Sequence, residues 1–302
     1  MRYFLHSILI FLIPIIGYII IALAFHDSIN TIIYGINTEN QIKQSFRNVL
    51  QQENELLVLG NSRCYRGINP DNFSVSAFNF SHDNDSYNVI FHKLKYCIDN
   101  NKIPRSLVLG VDYFQFSFKS STRNYTYGKL LGKRFLDDYK YQNINIYILE
   151  NYIKNSLSPK SFFTSLAKLM LSYRKHAFLK QNGQFIYPGN ANPNETIIRD
   201  INRISFQEDY FKEILDLCER NDMQIFLIMP PVRDNELSSY SQEQIDEFNN
   251  YINQFVSDNL FYINFSKDAS FVLSDFTDIT HLNKEAADVF TSKLDSIIVN
   301  KR

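Results

Sequence analysis

Leu56-Leu57-Val58-Leu59-Gly60-Asn61-Ser62-Arg63 is the stretch that decides how this chain folds. Four apolar residues run without alternation and stop at a glycine. That is the pattern of a strand buried on both faces of a parallel sheet, not of a strand with one wet side. Gly60 permits a sharp turn. Ser62 then falls three residues after Leu59, at the C-terminal end of the strand, where open α/β sheets form their ligand crevice. A serine there can turn its backbone N–H toward a developing oxyanion.

Outward from this strand, strands and helices alternate. Further strands are expected at 76–80, at 106–109 ending on Gly110, at 224–229 and at 261–265. Helices are expected at 86–100, where Val89, Ile90, Leu94 and Ile98 share a face, and at 204–220, 241–258 and 284–299. Pro230-Pro231 stops the fourth strand. The alternation predicts an α/β fold, a flavodoxin-like three-layer sandwich with a central parallel sheet of about five strands. Residues 113–202 break the rhythm and are rich in Tyr, Lys, Asn and Ser. They read as a helical insertion, with helices at 144–155 and 159–175 and a loop at 182–194, placed where a lid or partner surface would sit.

The chain has 302 residues, 45% of them hydrophobic, and a net charge of -1. This allows one sizeable domain plus an anchor. Lys and Arg form no basic stripe, so nucleic acid is not an expected partner. Cys64, Cys97 and Cys218 are scattered and show no CxxC spacing, so neither a disulfide framework nor a metal site is expected, and no cofactor is called for. Cys64, two residues from Ser62, reads as a space-filling thiol.

Residues 4–25, FLHSILIFLIPIIGYIIIALAF, are almost wholly apolar. As a helix they would span roughly 33 Å, enough for a bilayer core. Arg2 before the run and Asp27 after it place the N-terminus in the cytoplasm and the rest outside. Ala22-Leu23-Ala24 also has the small-x-small form of a signal-peptidase site, but the length of the run favours an uncleaved anchor. The expected organisation is a transmembrane anchor over 1–27, a stalk over 28–54 ending in an amphipathic helix, and a domain over 55–302.

A second motif lies at the far end. Asp278-Ile279-Thr280-His281 precedes the last helix, in a loop that reaches the same crevice. The three-residue spacing lets the carboxylate fold back onto imidazole Nδ1, leaving Nε2 free to take a serine proton. Asp275 is a competing carboxylate. Ser62, His281 and Asp278 are therefore the candidate nucleophile, base and orienting acid. Arg63 and Arg66 are candidates for cradling a sugar or anion, although solvated arginines that pair locally explain both better. His82 reads as a satisfied loop histidine.

Taken together these blocks resemble the SGNH (GDSL-type) hydrolase family. Gly60-Asn61-Ser62-Arg63 is similar to the family's first block, with Ser62 at the nucleophile, and Asp278 and His281 fall on its DxxH block. Asn79-Phe80-Ser81-His82-Asp83-Asn84-Asp85-Ser86 resembles the second block, with Asn84 in place of the glycine whose amide lines the oxyanion hole. Gly110-Val111-Asp112-Tyr113 resembles the third, with Asp112 where the family has an asparagine donor. The resemblance implies an oxyanion and substrate set of Asn84, Asp112, Gly110, Asn79 and Arg63. An ionised Asp112 there could not donate and would repel an oxyanion, so it is expected to turn away or to bind a cation or a substrate hydroxyl.

The layout is similar to single-pass members with an extracytoplasmic SGNH-like domain, among them the D-alanyl-lipoteichoic acid synthesis protein and the alginate O-acetylation proteins. That resemblance implies an acyl esterase or O-acetyltransferase acting on a cell-envelope polysaccharide or polymer, beside a membrane-bound O-acyltransferase. The rival reading is a catalytically weak binding module that partners such an acyltransferase, and Asp112 is the feature that favours it.

Overall fold

β1 (Leu56–Leu59) lies second in a five-stranded sheet whose order is β2 (Ala77–Asn79), β1, β3 (Ser106–Gly110), β6 (Gln224–Met229), β7 (Leu260–Asn264), every pair parallel. In chain order these five strands run 2-1-3-4-5, the flavodoxin-like arrangement, with its switch point between β1 and β3. The computed structural model describes residues 2–34, 38–121, 123–141, 146, 157–171 and 177–301. Most of the expected helix at 144–155 lies outside them.

Side chains alternate across the sheet, and both faces are covered. Leu57, Leu59, Leu107, Leu109, Leu227 and Met229 enter one core. Leu56, Val58, Val108, Phe226 and Ile228 enter the other. The first core is closed by α4 (Tyr87–Asp99), by Ser205–Glu219 and by Gln242–Asn253. The second is closed by the last helix, Lys284–Val299, whose Ala286, Phe290, Leu294 and Ile298 form an i, i+4 stripe. Asn283 caps that helix, its Oδ1 accepting from the Ala286 N–H at 2.8 Å.

The helix expected to run to 258 ends at Asn253 instead. The next residues make tight turns, and Ser257 bridges to Leu260 at the start of β7.

Thr38–Gln51 (α2) is the amphipathic helix expected at the end of the stalk, but it does not stand off from the domain. Ile42, Phe46 and Val49 are buried in the first core, with Phe46 edge-on to Phe80 at 4.7 Å. Burying three large apolar residues favours packing over a free stalk.

Ahead of α2, Arg2–Tyr34 is one 33-residue helix (α1), which contains the whole apolar run. Among the described residues, no helix is long and apolar enough to cross a membrane. Tyr18 of α1 stacks on Phe163 of Pro159–Met170, with ring centroids 6.4 Å apart, and its hydroxyl donates to the Leu157 carbonyl at 3.2 Å.

The insertion also holds Asn124–Leu131 and Lys133–Asp137, and a hairpin of β4 (Phe178–Leu179) with β5 (Phe185–Ile186). The hairpin turn docks on the end of β2, where the Asn79 N–H donates to the Asn182 carbonyl at 2.9 Å. Gly183 has φ +93 there, and a Cβ would lie 1.9 Å from the Asn79 oxygen. The hairpin is thereby held over the C-terminal ends of the strands.

Beneath Ser62, Gly60 and Gly110 face each other around Cys64. A Cβ on Gly110 would meet the Cys64 sulfur at 2.4 Å, and one on Gly60 would meet it at 2.5 Å. Cys64 is 1% exposed, and burial pushes its thiol up in pKa, so it is an inert filler. Gly110→Ala is expected to destabilise the protein by about 1–3 kcal/mol through overpacking. Adding Cys64→Ala should recover part of that loss, because it removes the clashing atom. Denaturant midpoints of the two variants and the double variant check this. Equal, additive losses would show that the close approach is not the cause.

Candidate active site

Asn61 ends the β1 turn and caps α3 (Ser62–Gly67), its Oδ1 accepting from the Arg63 N–H at 2.9 Å. Its Nδ2 donates to Gln115 Oε1 at 2.5 Å, and Gln115 donates in turn to the Asp85 carbonyl at 2.7 Å. Gln115 is fully buried and ties the turn carrying Ser62 to the loop after β2. Ser62 therefore opens a helix, and its N–H has no acceptor within that helix.

The loop before the last helix brings the second motif to the same place. His281 Nε2 lies 2.8 Å from Ser62 Oγ, and His281 Nδ1 lies 2.8 Å from each Asp278 carboxylate oxygen. Asp278 also accepts from the backbone N–H groups of Thr280 at 2.8 Å and His281 at 3.0 Å, which hold it in place. With Asp278 ionised, Nδ1 carries the proton and Nε2 faces the hydroxyl as an acceptor. The hydrogen bonds to His281 and Thr280, with Arg66 nearby, overcome burial and keep the Asp278 carboxyl well below the usual range. Asp275 is engaged elsewhere, its Oδ2 accepting from the Val272 N–H at 2.8 Å.

Arg66, one turn along α3, sits against this pair. It forms two hydrogen bonds with Asp83, at 3.1 and 3.3 Å, and lies 3.5 Å from Asp278 and 3.2 Å from His281 Nδ1. Its guanidinium lies over the rings of Tyr187, at 5.0 Å, and Phe185, at 5.8 Å. Burial first, then the Arg66 charge, lower the His281 pKa, and the Asp278 contact opposes them. A cleft of about 610 Å³ opens beside His281 and Asp278, walled by Tyr65, His82, Phe185 and Tyr187 with Arg66 and Arg123. The insertion thus supplies one wall, and α2 contributes Gln41 and Ile42.

The oxyanion and substrate set drawn from the resemblance divides. Asn84 has φ +61, so its backbone makes the left-handed turn a glycine would make. Among the described residues, it has no protein hydrogen-bond partner.

The other four members are engaged in holding the fold. Asn79 is fully buried, its Nδ2 donating to the carbonyls of Cys64 at 2.8 Å and Ile68 at 3.0 Å. Gly110 is a packing glycine. Asp112 turns away from the cleft, 1% exposed, with its Oδ2 2.9 Å from Arg63 Nε. Arg63, 3% exposed, reaches Glu236 with its other arm at 2.5 Å and so is no cradle for substrate. Burial pushes the Asp112 carboxyl up to about 6, and Arg63 opposes it. Burial works against the Arg63 charge too, but Asp112 and Glu236 more than offset it and raise its pKa.

Gln115, Glu236, Arg123 and Lys93 were not singled out from the sequence. Lys93 had a visible signal, since it sits between Ile90 and Cys97 on the apolar face of α4. Glu236 lies in a four-residue helix, Asp234–Leu237, with no periodicity to mark it. Among the described residues, no group of three or more His, Cys, Asp or Glu is arranged to hold a metal ion.

No protein-family model matches this sequence, and no curated protein matches it. Among solved structures, it is similar to a family two carbohydrate esterase from Clostridium thermocellum in complex with cellohexaose, at a TM-score of 0.38 and 11% identity. An active-site mutant of a family two carbohydrate esterase from the same organism gives a TM-score of 0.39, also at 11% identity. Both alignments cover 82% of this chain and 64% of the other, so the chain spans less than two thirds of the length of either.

Proposed function

We propose that this protein is a serine-dependent acyl esterase or O-acetyltransferase of the SGNH type, acting on an acylated cell-envelope carbohydrate or related polymer. The observation that carries the reading is His281, hydrogen-bonded to Ser62 through Nε2 and to Asp278 through Nδ1 at the mouth of a cleft. Ser62 Oγ attacks the ester carbonyl carbon while Nε2 takes its proton. The amides of Ser62 and Asn84 face the resulting oxyanion. The tetrahedral intermediate collapses as His281 returns the proton to the leaving sugar alkoxide, leaving an acyl-Ser62. Water completes hydrolysis, or an acceptor hydroxyl completes transfer, with His281 again as base.

The pairing of Asp112 with Arg63 supports the enzyme reading over a binding module, because it gives that carboxylate a structural partner. The reading takes residues 4–25 as a single-pass anchor with the domain outside the cytoplasm, on the length and flanking charges of that sequence alone. In that setting a membrane-bound O-acyltransferase is the natural partner. The test is acetate release from an O-acetylated oligosaccharide by the full-length chain. Saturable release that vanishes in Ser62→Ala supports the reading, and release unaffected by that change refutes it.

The pH profile follows from His281, which must be neutral to act as base. Its pKa is lowered, so the acid limb of kcat/KM is expected below the ordinary imidazole value of 6.5. Arg66→Gln removes a cation that opposes the imidazolium. The His281 pKa then rises, and the acid limb moves to higher pH. A limb that moves to lower pH, or stays in place, contradicts this role for Arg66.

A further inference from the structure

Behind the cleft wall lies a buried polar cluster that the proposed reaction does not use. Lys93, fully buried on α4, has three hydrogen-bond neighbours: the Phe80 carbonyl at 2.8 Å, Asp85 Oδ2 at 2.5 Å and His82 Nδ1 at 2.6 Å. Asp85 Oδ1 accepts from the Tyr127 hydroxyl at 2.6 Å, and its Oδ2 also accepts from the His82 N–H at 3.0 Å.

An ammonium has three N–H donors and no acceptor. Two of its neighbours here, a carbonyl and a carboxylate, can only accept. The third proton must therefore point at His82 Nδ1, which accepts it. That fixes the tautomer, because a neutral imidazole with Nδ1 as acceptor carries its proton on Nε2. Burial, then the Lys93 and Arg123 charges, hold His82 well below its ordinary pKa and so keep it neutral. Lys93 is pushed down to about 8 by burial, with Asp85 opposing, and stays an ammonium at pH 6.5.

His82 is 2% exposed and lines the same cleft as His281, between the rings of Tyr65, at 5.0 Å, and Phe80. Among the described residues, its Nε2 has no hydrogen-bond partner. A buried N–H donor without an acceptor is costly, and its orientation is fixed here by Lys93.

We propose that His82 is a substrate-recognition residue, whose Nε2–H, set by Lys93, donates to a hydroxyl or ester oxygen of the acylated sugar unit held in the cleft. This rests on the acyl-carbohydrate reading above. The neutral donor selects an oxygen acceptor without calling for charge.

The test uses the full-length chain and needs no turnover. Affinity for the same O-acetylated oligosaccharide is measured by calorimetry in the Ser62→Ala background. His82→Phe should weaken binding about tenfold, the order expected for one well-placed hydrogen bond to a buried donor. His82→Gln, whose side-chain amide keeps an N–H near the Nε2 position, should restore most of it, which a merely structural role would not allow.

Long-range 1H–15N spectra of histidine-labelled protein at pH 6.5 read the tautomer with His82 intact. The expected pattern is Nε2–H, lost in Lys93→Met. An Nδ1–H tautomer in the wild type, unchanged affinity in His82→Phe, or His82→Gln as weak as His82→Phe overturns the proposal. Fluorophosphonate labelling of the wild type reports on Ser62 separately, so failure of the serine chemistry is told apart from failure of this contact.

Discussion

Ser62→Ala and His281→Ala are each expected to cut ester turnover by about 10⁴-fold or more, and the double variant should lose little beyond either one. The expectation comes from geometry. A serine hydroxyl at its free pKa is a weak nucleophile, and the base within 2.8 Å of it is what makes attack feasible at neutral pH. Once either member is gone the other has no partner, so the losses overlap. Asp278→Asn keeps the shape but lets the side-chain amide donate to Nδ1. That inverts the tautomer and turns Nε2 into a donor facing Ser62, so it should also cost several orders of magnitude. Turnover that falls less than tenfold in His281→Ala, or losses that multiply in the double variant, would show that the two residues do not act as one unit.

Arg63→Met is expected to destabilise the fold by about 3–5 kcal/mol. It would leave Asp112 and Glu236, 1% and 0% exposed, without their shared cation. Arg199, 3.4 Å from Glu236, compensates only in part. Asp112→Asn is the informative companion. It installs the asparagine of the block that residues 110–113 resemble, yet it should lower stability without raising turnover, because Asp112 is engaged with Arg63. Denaturant midpoints and kcat/KM on the same preparations check both. A several-fold gain in turnover in Asp112→Asn with unchanged stability would put that side chain back at the reacting carbonyl.

The sheet was legible because buried parallel strands announce themselves as continuous apolar runs, and β1, β3 and β6 each end within a residue of where the runs stop. Ser62, Asp278 and His281 were legible because a strand end and a three-residue spacing constrain geometry directly. The partner of Asp112 was not legible, because one block at a time shows only a carboxylate where the family has a donor. Its meaning lies in Arg63, 49 positions earlier, and in Glu236, and no local pattern joins three residues on separate elements.

The short helices at Asn124–Leu131 and Lys133–Asp137 and the Phe178–Ile186 hairpin were missed because each is too short for periodicity to rise above its polar surroundings. They are set by tertiary contacts, as when the hairpin turn docks on Asn79.

The most direct measurement is intact mass of the full-length chain after treatment with a fluorophosphonate, read beside Ser62→Ala and His281→Ala. A single adduct on the wild type, absent from Ser62→Ala and formed far more slowly on His281→Ala, is the result the account predicts. No adduct on a folded wild-type chain, or an adduct that persists in Ser62→Ala, would contradict an activated serine at this site.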